Sequence, residues 1–219
     1  MSRTVYLNGA YVREEDAKIS IFDRGFLMAV AVYEVTAVLD GKLIDFDGHV
    51  ARLRRSMAEL DMPLPDVLGD LREVHHRLVK ENGLVDGVIY LQISRGNPGD
   101  RDFAFPVAAQ TPLTVVLFTQ SKPGLATTPS ANRGLRVISV PDRRWGRRDI
   151  KTTQLLYPSL CKMKAKKAGA DDAWLVEDGY ITEGTSSNAW IIQGKTLVTR
   201  SATREILHGI TRAAVIKLT

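Results

Sequence analysis

The sequence contains few of the residues that build several common kinds of site. One cysteine and four histidines among 219 residues allow no internal disulfide and no plausible tetrahedral zinc site, so we expect no metal. No apolar run approaches the roughly 20 residues that span a bilayer, and no signal peptide is expected at the polar start of the chain. Gly-rich loops of the Walker or G-x-G-x-x-G kind are also missing. These absences favour a soluble, cytoplasmic protein that does not bind membranes.

The composition is that of an ordinary globular protein. Hydrophobic residues make up 44% and charged residues 25%, and the net charge of +5 favours an anionic small-molecule ligand.

A short basic run with an aromatic residue inside it is compatible with a nucleic-acid patch. We interpret the run as a solvated loop instead, because Asp142 and Asp149 flank it, and we expect no nucleic acid. The run consists of Arg143, Arg144, Trp145, Arg147 and Arg148.

The first half of the chain predicts two hairpins followed by two helices and two strands. Asn8-Gly9 and Asp40-Gly41 are dipeptides that tolerate tight type I′ turns, and alternating apolar residues flank both. Helical periodicity then predicts helices over 47–62 and 67–82. Strand-like runs follow in "GVIYLQISRG" and "LTVVLFTQ", joined by a loop long enough to carry function.

The second half predicts further strands and helices without regular βαβ units. A strand "LRVISV", a helix over 152–167, two hairpins and the helical "REILHGITRAAVIKL" follow a Pro/Gly/Ser/Thr-rich stretch. We therefore predict an α+β fold with two domains, residues 1–120 and 135–219, joined by a linker over 121–134. The four histidines are interpreted as packing or surface residues.

Five short motifs occur in an order that is more informative than any one of them. They are "VYE" at 32–34, "HVARL" at 49–53, "DIKT" with Lys151, "TEGTSSN" with Glu183, Ser187 and Asn188, and "LHGITR" with Leu207, Ile210 and Thr211. Together they resemble the fold-type IV pyridoxal-phosphate transaminases, and most closely their D-amino-acid transaminase branch. The resemblance covers essentially the whole chain. It implies a two-domain enzyme that moves an amino group from D-amino acids, with (R)-primary amines as further candidate donors, to a 2-oxo acid such as 2-oxoglutarate or pyruvate.

The resemblance also implies how pyridoxal 5'-phosphate is bound. Lys151 would form a Schiff base with the cofactor and move the substrate proton, and Glu183 would hold the pyridine nitrogen. Gly209 permits a turn from which Ile210 and Thr211 can present backbone N–H groups to the phosphate. The remaining cofactor-binding residues are expected to be Arg52, at the phosphate, Leu207, at the ring, and Ser187 and Asn188.

Substrate binding is expected to involve both subunits of a homodimer. By resemblance, Tyr33 faces the substrate carboxylate, and Arg101 lies in the loop that the partner subunit contributes. Phe103 stands where this branch carries a histidine that helps to bind the substrate carboxylate. The carboxylate-binding set is therefore incomplete, and (R)-amines, which have no carboxylate, stay possible donors. Val30 is a second departure, because many relatives carry an acidic residue near this position.

Three alternatives stay open at this point. A branched-chain L-amino-acid transaminase or an aminodeoxychorismate lyase shares the lysine and the glutamate, and a catalytically impaired variant is the third. The family usually continues beyond the last residue, so we expect the C-terminal domain, residues 135–219, to be truncated or partly missing.

Overall fold

The computed structural model describes residues 2–127 and 130–219, which form two compact units. The first unit comprises Met1–Thr128 together with Lys151–Thr153, and the second comprises Pro129–Ile150 and Gln154–Thr219. Residues 128 and 129 of the predicted linker lie outside the described residues. The three-residue segment Lys151–Thr153 belongs to the first unit, whereas the sequence pattern placed it in the second domain.

The first unit is built on a six-stranded antiparallel sheet with the strand order β2-β1-β6-β5-β3-β4. The hairpins at Asn8-Gly9 and Asp40-Gly41 are confirmed, and all four turn residues have positive φ, as a type I′ turn requires. The strands are β1 (Thr4–Leu7), β2 (Ala10–Arg13), β3 (Ala31–Leu39), β4 (Lys42–Leu43), β5 (Gly87–Ser94) and β6 (Thr114–Ser121).

Three helices accompany this sheet: α1 (Arg24–Met28), α2 (Phe46–Ala58) and α3 (Leu71–Glu81). Leu53 and Met57 of α2 and Leu78 of α3 are almost completely buried, so the predicted apolar faces do form the core. Both α2 and α3 are shorter than predicted. The expected start of the second predicted helix is a 3-10 turn, Asp66–Leu68, because Gly69 and Asp70 are poor helix formers ahead of Leu71.

The second unit combines a three-stranded sheet, a separate hairpin and three helices. Its elements are α4 (Ser130–Arg133), β7 (Val137–Pro141), α5 (Leu156–Lys167), β8 (Asp172–Glu177), β9 (Tyr180–Gly184), β10 (Trp190–Gln193), β11 (Thr196–Thr199) and α6 (Ile210–Leu218). β7 and β8 are parallel, β8 and β9 are antiparallel, and β10 pairs with β11. Buried Cys161 and Ala165 of α5 pack with Val140 and Leu175 of the sheet.

The order β7-α5-β8 is a parallel crossover, which the sequence pattern, with no regular series of βαβ units, did not indicate. The periodicity of α5 is weak because only Cys161 and Ala165 are buried, and the connection back to β8 is therefore hard to recognise in the sequence. α5 also begins at Leu156 instead of Thr152, because residues 151–153 are held in an extended conformation. The overall class is α+β, as predicted.

Membrane-spanning helices are absent from the part of the chain that the structure describes, since none of its helices is long and apolar enough.

Candidate functional site

Lys151 is fixed to the start of β3 by main-chain hydrogen bonds. The Tyr33 N–H donates to the Lys151 carbonyl at 3.0 Å, the Thr153 N–H donates to the Ala31 carbonyl at 3.1 Å, and Thr152 forms an isolated bridge with Val32. The Lys151 N–H itself contacts the Ser56 hydroxyl of α2 at 3.3 Å. The half-buried lysine is therefore anchored by a pseudo-strand and not by a helix, which restricts where its side chain can reach.

The Lys151 amine lies against the ring of Tyr33. Its Nζ is 4.1 Å from the ring centroid, a distance at which a cation and an aromatic face attract each other. Tyr33 stacks on Tyr90, and Tyr90 stacks on Phe118, so three adjacent strands supply an aromatic row that holds the Tyr33 ring. Two residues that the sequence analysis singled out, Lys151 and Tyr33, are thus in contact within the first unit.

Arg52 is buried and paired with Glu34 of the "VYE" motif. Its Nε and Nη2 donate to the two carboxylate oxygens at 2.8 Å and 2.6 Å, and His49 Nδ1 contacts the same carboxylate at 2.7 Å. Burial raises the pKa of Glu34, but the hydrogen bonds from Arg52 and His49 outweigh it and hold the pKa below its ordinary value. His49 was expected to be a packing or surface residue; its spacing of three from Arg52 was the available signal for this contact.

Arg101 lies on an exposed loop whose main chain is bonded by the buried side chain of Arg24. Its guanidinium is 4.9 Å from the ring of exposed Phe103. Arg24 donates to the Asp102 carbonyl at 2.7 Å and to the Phe103 carbonyl at 3.4 Å. The base of the loop is therefore fixed within the first unit, and Arg101 itself faces outward.

Glu183 is the most constrained carboxylate among the predicted site residues of the second unit. It is 4% exposed and accepts hydrogen bonds from Asn188 Nδ2 at 2.9 Å and from the Leu207 N–H at 3.1 Å, as well as from Arg144 Nη1. Burial raises the pKa of Glu183 above its ordinary value, and the charge of Arg144 opposes that rise. The Leu207 N–H also lies 3.3 Å from the other carboxylate oxygen, so these three donors together contact both oxygens of Glu183.

Arg144 and Asp142 are functional candidates that the sequence analysis did not identify. Asp142 follows β7 directly and accepts from Arg144 Nε at 3.0 Å and Nη2 at 2.6 Å. Most of the basic run is paired in the same way, with Arg147 contacting Asp149 and Arg148 contacting Glu177. An arginine two residues after an aspartate was the only sequence signal, and arginines are too frequent here for it to stand out.

Asn188 links Glu183 to the segment that precedes α6. Its side-chain amide contacts the glutamate carboxylate and also donates to the Leu207 carbonyl at 2.9 Å. Asn188 and the Leu207 main chain therefore lie beside Glu183. Ser187 is exposed, and its carbonyl accepts from the Gly184 N–H at 2.7 Å in a tight turn.

Ile210 and Thr211 occupy the first turn of α6. The residue before them, Gly209, is extended, and no side chain among the described residues caps the helix. The first N–H groups of a helix have no partner within the helix and carry the positive end of its dipole, a combination suited to an anion.

Within residues 2–127 and 130–219 no group of three or more potential ligands could hold a metal ion.

Comparison with known proteins places these features in a family context. Residues 31–219 match the model of the amino-transferase class IV family. A D-alanine aminotransferase from Bacillus licheniformis is 36% identical over 214 residues, which covers 98% of this chain and 74% of that protein. A D-alanine aminotransferase from Staphylococcus epidermidis is 36% identical over 96% of this chain and 73% of that protein.

The solved structures that resemble the fold include the branched-chain amino acid aminotransferase of a T.th. strain, complexed with N-(5'-phosphopyridoxyl)-L-glutamate. It has a TM-score of 0.83 and 25% sequence identity, and the alignment covers 100% of this chain and 73% of that one. The similarity extends over both units described above.

Proposed function

The chain belongs to the class IV aminotransferase family and is a pyridoxal-phosphate-dependent enzyme of fold type IV, and we propose that it transfers an amino group between a D-amino acid and a 2-oxo acid. The acceptor would be 2-oxoglutarate or pyruvate, and (R)-primary amines would be further donors. Within the structure, the proposal depends most on Lys151, whose amine is held against Tyr33 by the pairing of residues 151–153 with β3.

The residues present fit pyridoxal phosphate in their chemistry. A primary amine is available at Lys151, the buried Glu183 supplies a carboxylate whose oxygens accept hydrogen bonds, and the first turn of α6 presents N–H groups suited to a phosphate. When bound, the cofactor withdraws electrons from the substrate Cα and so makes its C–H bond acidic.

Lys151 would hold the cofactor covalently and then move the proton at the substrate Cα. A primary amine suits both tasks, because it can be displaced by the substrate amine and afterwards act as a base. Main-chain hydrogen bonds to Ala31 and Tyr33 fix the backbone on both sides of Thr152. The Lys151 side chain therefore extends from a rigid segment of main chain. Such restraint favours proton transfer, which requires close and reproducible contact.

Glu183 would accept a hydrogen bond from the pyridine nitrogen and keep that nitrogen protonated. Its bonds to Asn188 and to the Leu207 N–H fix the orientation of the carboxylate. Leu207 would pack against the ring, while Ser187 and Asn188 would contribute to cofactor binding from the same segment.

The phosphate would be bound by the N–H groups of Ile210 and Thr211 and by Arg52. Gly209 gives the backbone its extended entry into α6, and the uncapped first turn leaves its donors available to an anion. Glu34 and His49 restrict the Arg52 guanidinium to one position, which favours a directed contact over a diffuse attraction.

Tyr33 and Arg101 would bind the substrate carboxylate, with Arg101 supplied by the second subunit of a homodimer. The outward position of Arg101, on a loop fixed from below by Arg24, is compatible with a role toward another copy of the chain. Phe103 replaces a polar group with an apolar ring, which favours acceptance of an (R)-amine beside a D-amino acid. We also propose that the enzyme acts in the cytoplasm, where its buried Cys161 would stay reduced.

Branched-chain L-amino-acid transamination is the second candidate. The similarity to the branched-chain aminotransferase structure supports it, but the higher identity to D-alanine aminotransferases favours the D-amino-acid proposal.

The first experiment combines cofactor reduction with intact-mass measurement. After incubation with pyridoxal phosphate and treatment with borohydride, the wild type should gain one phosphopyridoxyl group. Lys151→Ala should gain none, and Lys195→Ala, which removes an exposed lysine from a hairpin turn, should be labelled like the wild type. Equal labelling of Lys151→Ala would refute the assignment of Lys151.

Substrate class is decided by mixing the loaded enzyme with single donors and recording cofactor absorbance. D-Alanine should convert the cofactor, and (R)-1-phenylethylamine should do so more slowly. Conversion by L-leucine but not by D-alanine would instead establish the branched-chain alternative.

A further inference from the structure

A closed circuit of hydrogen bonds lies behind Glu183 in the second unit. Thr182 Oγ1 donates to Asp142 at 2.7 Å, Asp142 accepts two bonds from the Arg144 side chain, and Arg144 contacts Glu183, which follows Thr182 on β9. Thr182, Asp142 and Glu183 are all buried. The circuit joins the end of β7 to β9 through charged side chains.

Asp142 determines where the Arg144 guanidinium points. The fork of Nε and Nη2 on the two carboxylate oxygens leaves Nη1 directed at Glu183. Asp142 is itself fixed, because it accepts from the Arg144 N–H at 3.1 Å and lies 3.4 Å from Arg148 Nη1. Burial raises the pKa of Asp142, but the hydrogen bonds from Arg144 and Thr182 outweigh it, so the carboxylate stays charged.

The pKa of Glu183 is under opposed influences. Burial, and to a lesser extent the negative charge of Asp142, favours the neutral acid, whereas the charge and hydrogen bond of Arg144 and the hydrogen bond from the Leu207 N–H favour the carboxylate. A neutral Glu183 could not balance the charge of a protonated pyridine nitrogen. The ionisation that the chemistry requires therefore depends on an arginine that contacts the carboxylate from the protein side.

We propose that Arg144 is a positioning residue for transamination, which is clamped by Asp142 and keeps the Glu183 carboxylate ionised and oriented to accept the pyridine N–H. The inference rests on the proposed role of Glu183 in cofactor binding. Arg144 acts through Glu183 and needs no contact with cofactor or substrate.

The test measures the dissociation constant of pyridoxal phosphate by absorbance titration from about pH 6 to about pH 9. Arg144→Gln removes the charge, Arg144→Lys keeps it, and Arg143→Gln removes the same charge from the neighbouring position. At the lower pH, Arg144→Gln should bind the cofactor on the order of tenfold to a hundredfold more weakly than Arg143→Gln, as expected for a lost charge-assisted hydrogen bond. Arg144→Lys should stay within about threefold of the control.

The pH dependence separates charge from mere structure. Without Arg144, Glu183 should ionise only at higher pH, so the ratio of the two dissociation constants, Arg144→Gln over Arg143→Gln, should shrink as the pH rises. A ratio near one, or a ratio that is constant over the whole range, would overturn the inference. If Arg144→Gln does not fold by circular dichroism, Arg144→Met decides by the same two criteria, because an apolar side chain of similar length tolerates burial better.

Failure of the inference and failure of the proposed function are distinguishable. A wild type that binds no pyridoxal phosphate would refute the function itself. A wild type that binds it, beside a neutral Arg144 variant that binds it equally well, would refute only the role of Arg144.

Discussion

His75 is a buried imidazole on α3 whose charge state affects the stability of the first unit. Its Nδ1 contacts the Leu71 carbonyl at 2.8 Å, and its ring meets Phe46 edge-on at 5.0 Å. Burial lowers the pKa of His75 to about 4, and the nearby charges of His49, His76 and Arg72 add to the effect. The native state therefore holds a neutral ring at a pH where an unfolded chain, with a pKa of about 6.5, would be protonated.

We predict that the free energy of unfolding falls as the pH drops from about 6.5 to about 4. Over this window the unfolded state binds one more proton than the native state at this position, which weakens folding by up to about 1.4 kcal/mol per pH unit. Denaturant titrations at several pH values should show that His75→Gln flattens this dependence. His76→Gln changes the exposed neighbour and should leave the pH dependence of the unfolding free energy unchanged. An unchanged pH dependence in His75→Gln would contradict the assignment of this effect to His75.

At the scale of elements, the entry into α6 depends on the absence of a side chain at Gly209. A Cβ added there would lie 2.0 Å from Oδ1 of Asn188, far inside van der Waals contact. The φ angle of −63° is ordinary, so the requirement for glycine is steric and not conformational. Gly209 therefore allows Asn188 to bond Glu183 and the Leu207 carbonyl at the same time.

We predict that Gly209→Ala displaces Asn188 and weakens pyridoxal-phosphate binding by on the order of tenfold, the cost of one lost charge-assisted hydrogen bond. Gly146→Ala is the control, because its added Cβ has nothing within 4 Å and its φ is not positive. Absorbance titration of both variants measures the effect. Equal affinities of the two variants would show that the segment around Gly209 can shift to accommodate the added Cβ without disturbing Glu183.

Local elements were predictable from the sequence wherever turn chemistry and periodicity agreed. Asn8-Gly9 and Asp40-Gly41 identified their hairpins because few other dipeptides allow two positive φ angles in succession. The parallel crossover and the late start of α5 were not predictable. Residues 151–153 are extended because β3 offers them main-chain partners, and a pairing across more than a hundred residues has no local pattern.

At the scale of the whole chain, the candidate site was predictable only through the order of five motifs. Lys151 and Glu183 stand alone as ordinary charged residues, and neither periodicity nor composition distinguishes them. Arg144, which contacts Glu183, and Asp142, which contacts Arg144, escaped notice because ion pairing is a property of folded geometry. Sequence thus identified the candidate reacting groups, and the structure added the charged side chains around Glu183.

The predicted homodimer requires an interface on the surface of the chain. The first unit has exposed apolar residues on α1 and on the loop of Arg101. Arg24 of α1 bonds the carbonyls of Asp102 and Phe103, so α1 and this loop adjoin. Phe26 of α1 is 67% exposed and Phe103 is 76% exposed. Aromatic residues are enriched at interfaces between proteins.

We predict that the protein sediments as a dimer and that Phe26→Asp shifts it toward the monomer, because a carboxylate buried in an apolar interface lacks a partner for its charge. Val85→Asp is the matched control: Val85 is 62% exposed in the same unit but lies in the loop before β5, away from α1 in the sequence. Sedimentation equilibrium of the three proteins over a range of concentrations measures the association constants. A monomeric wild type would contradict the dimer itself, whereas equal association of both variants would place the interface elsewhere on the surface.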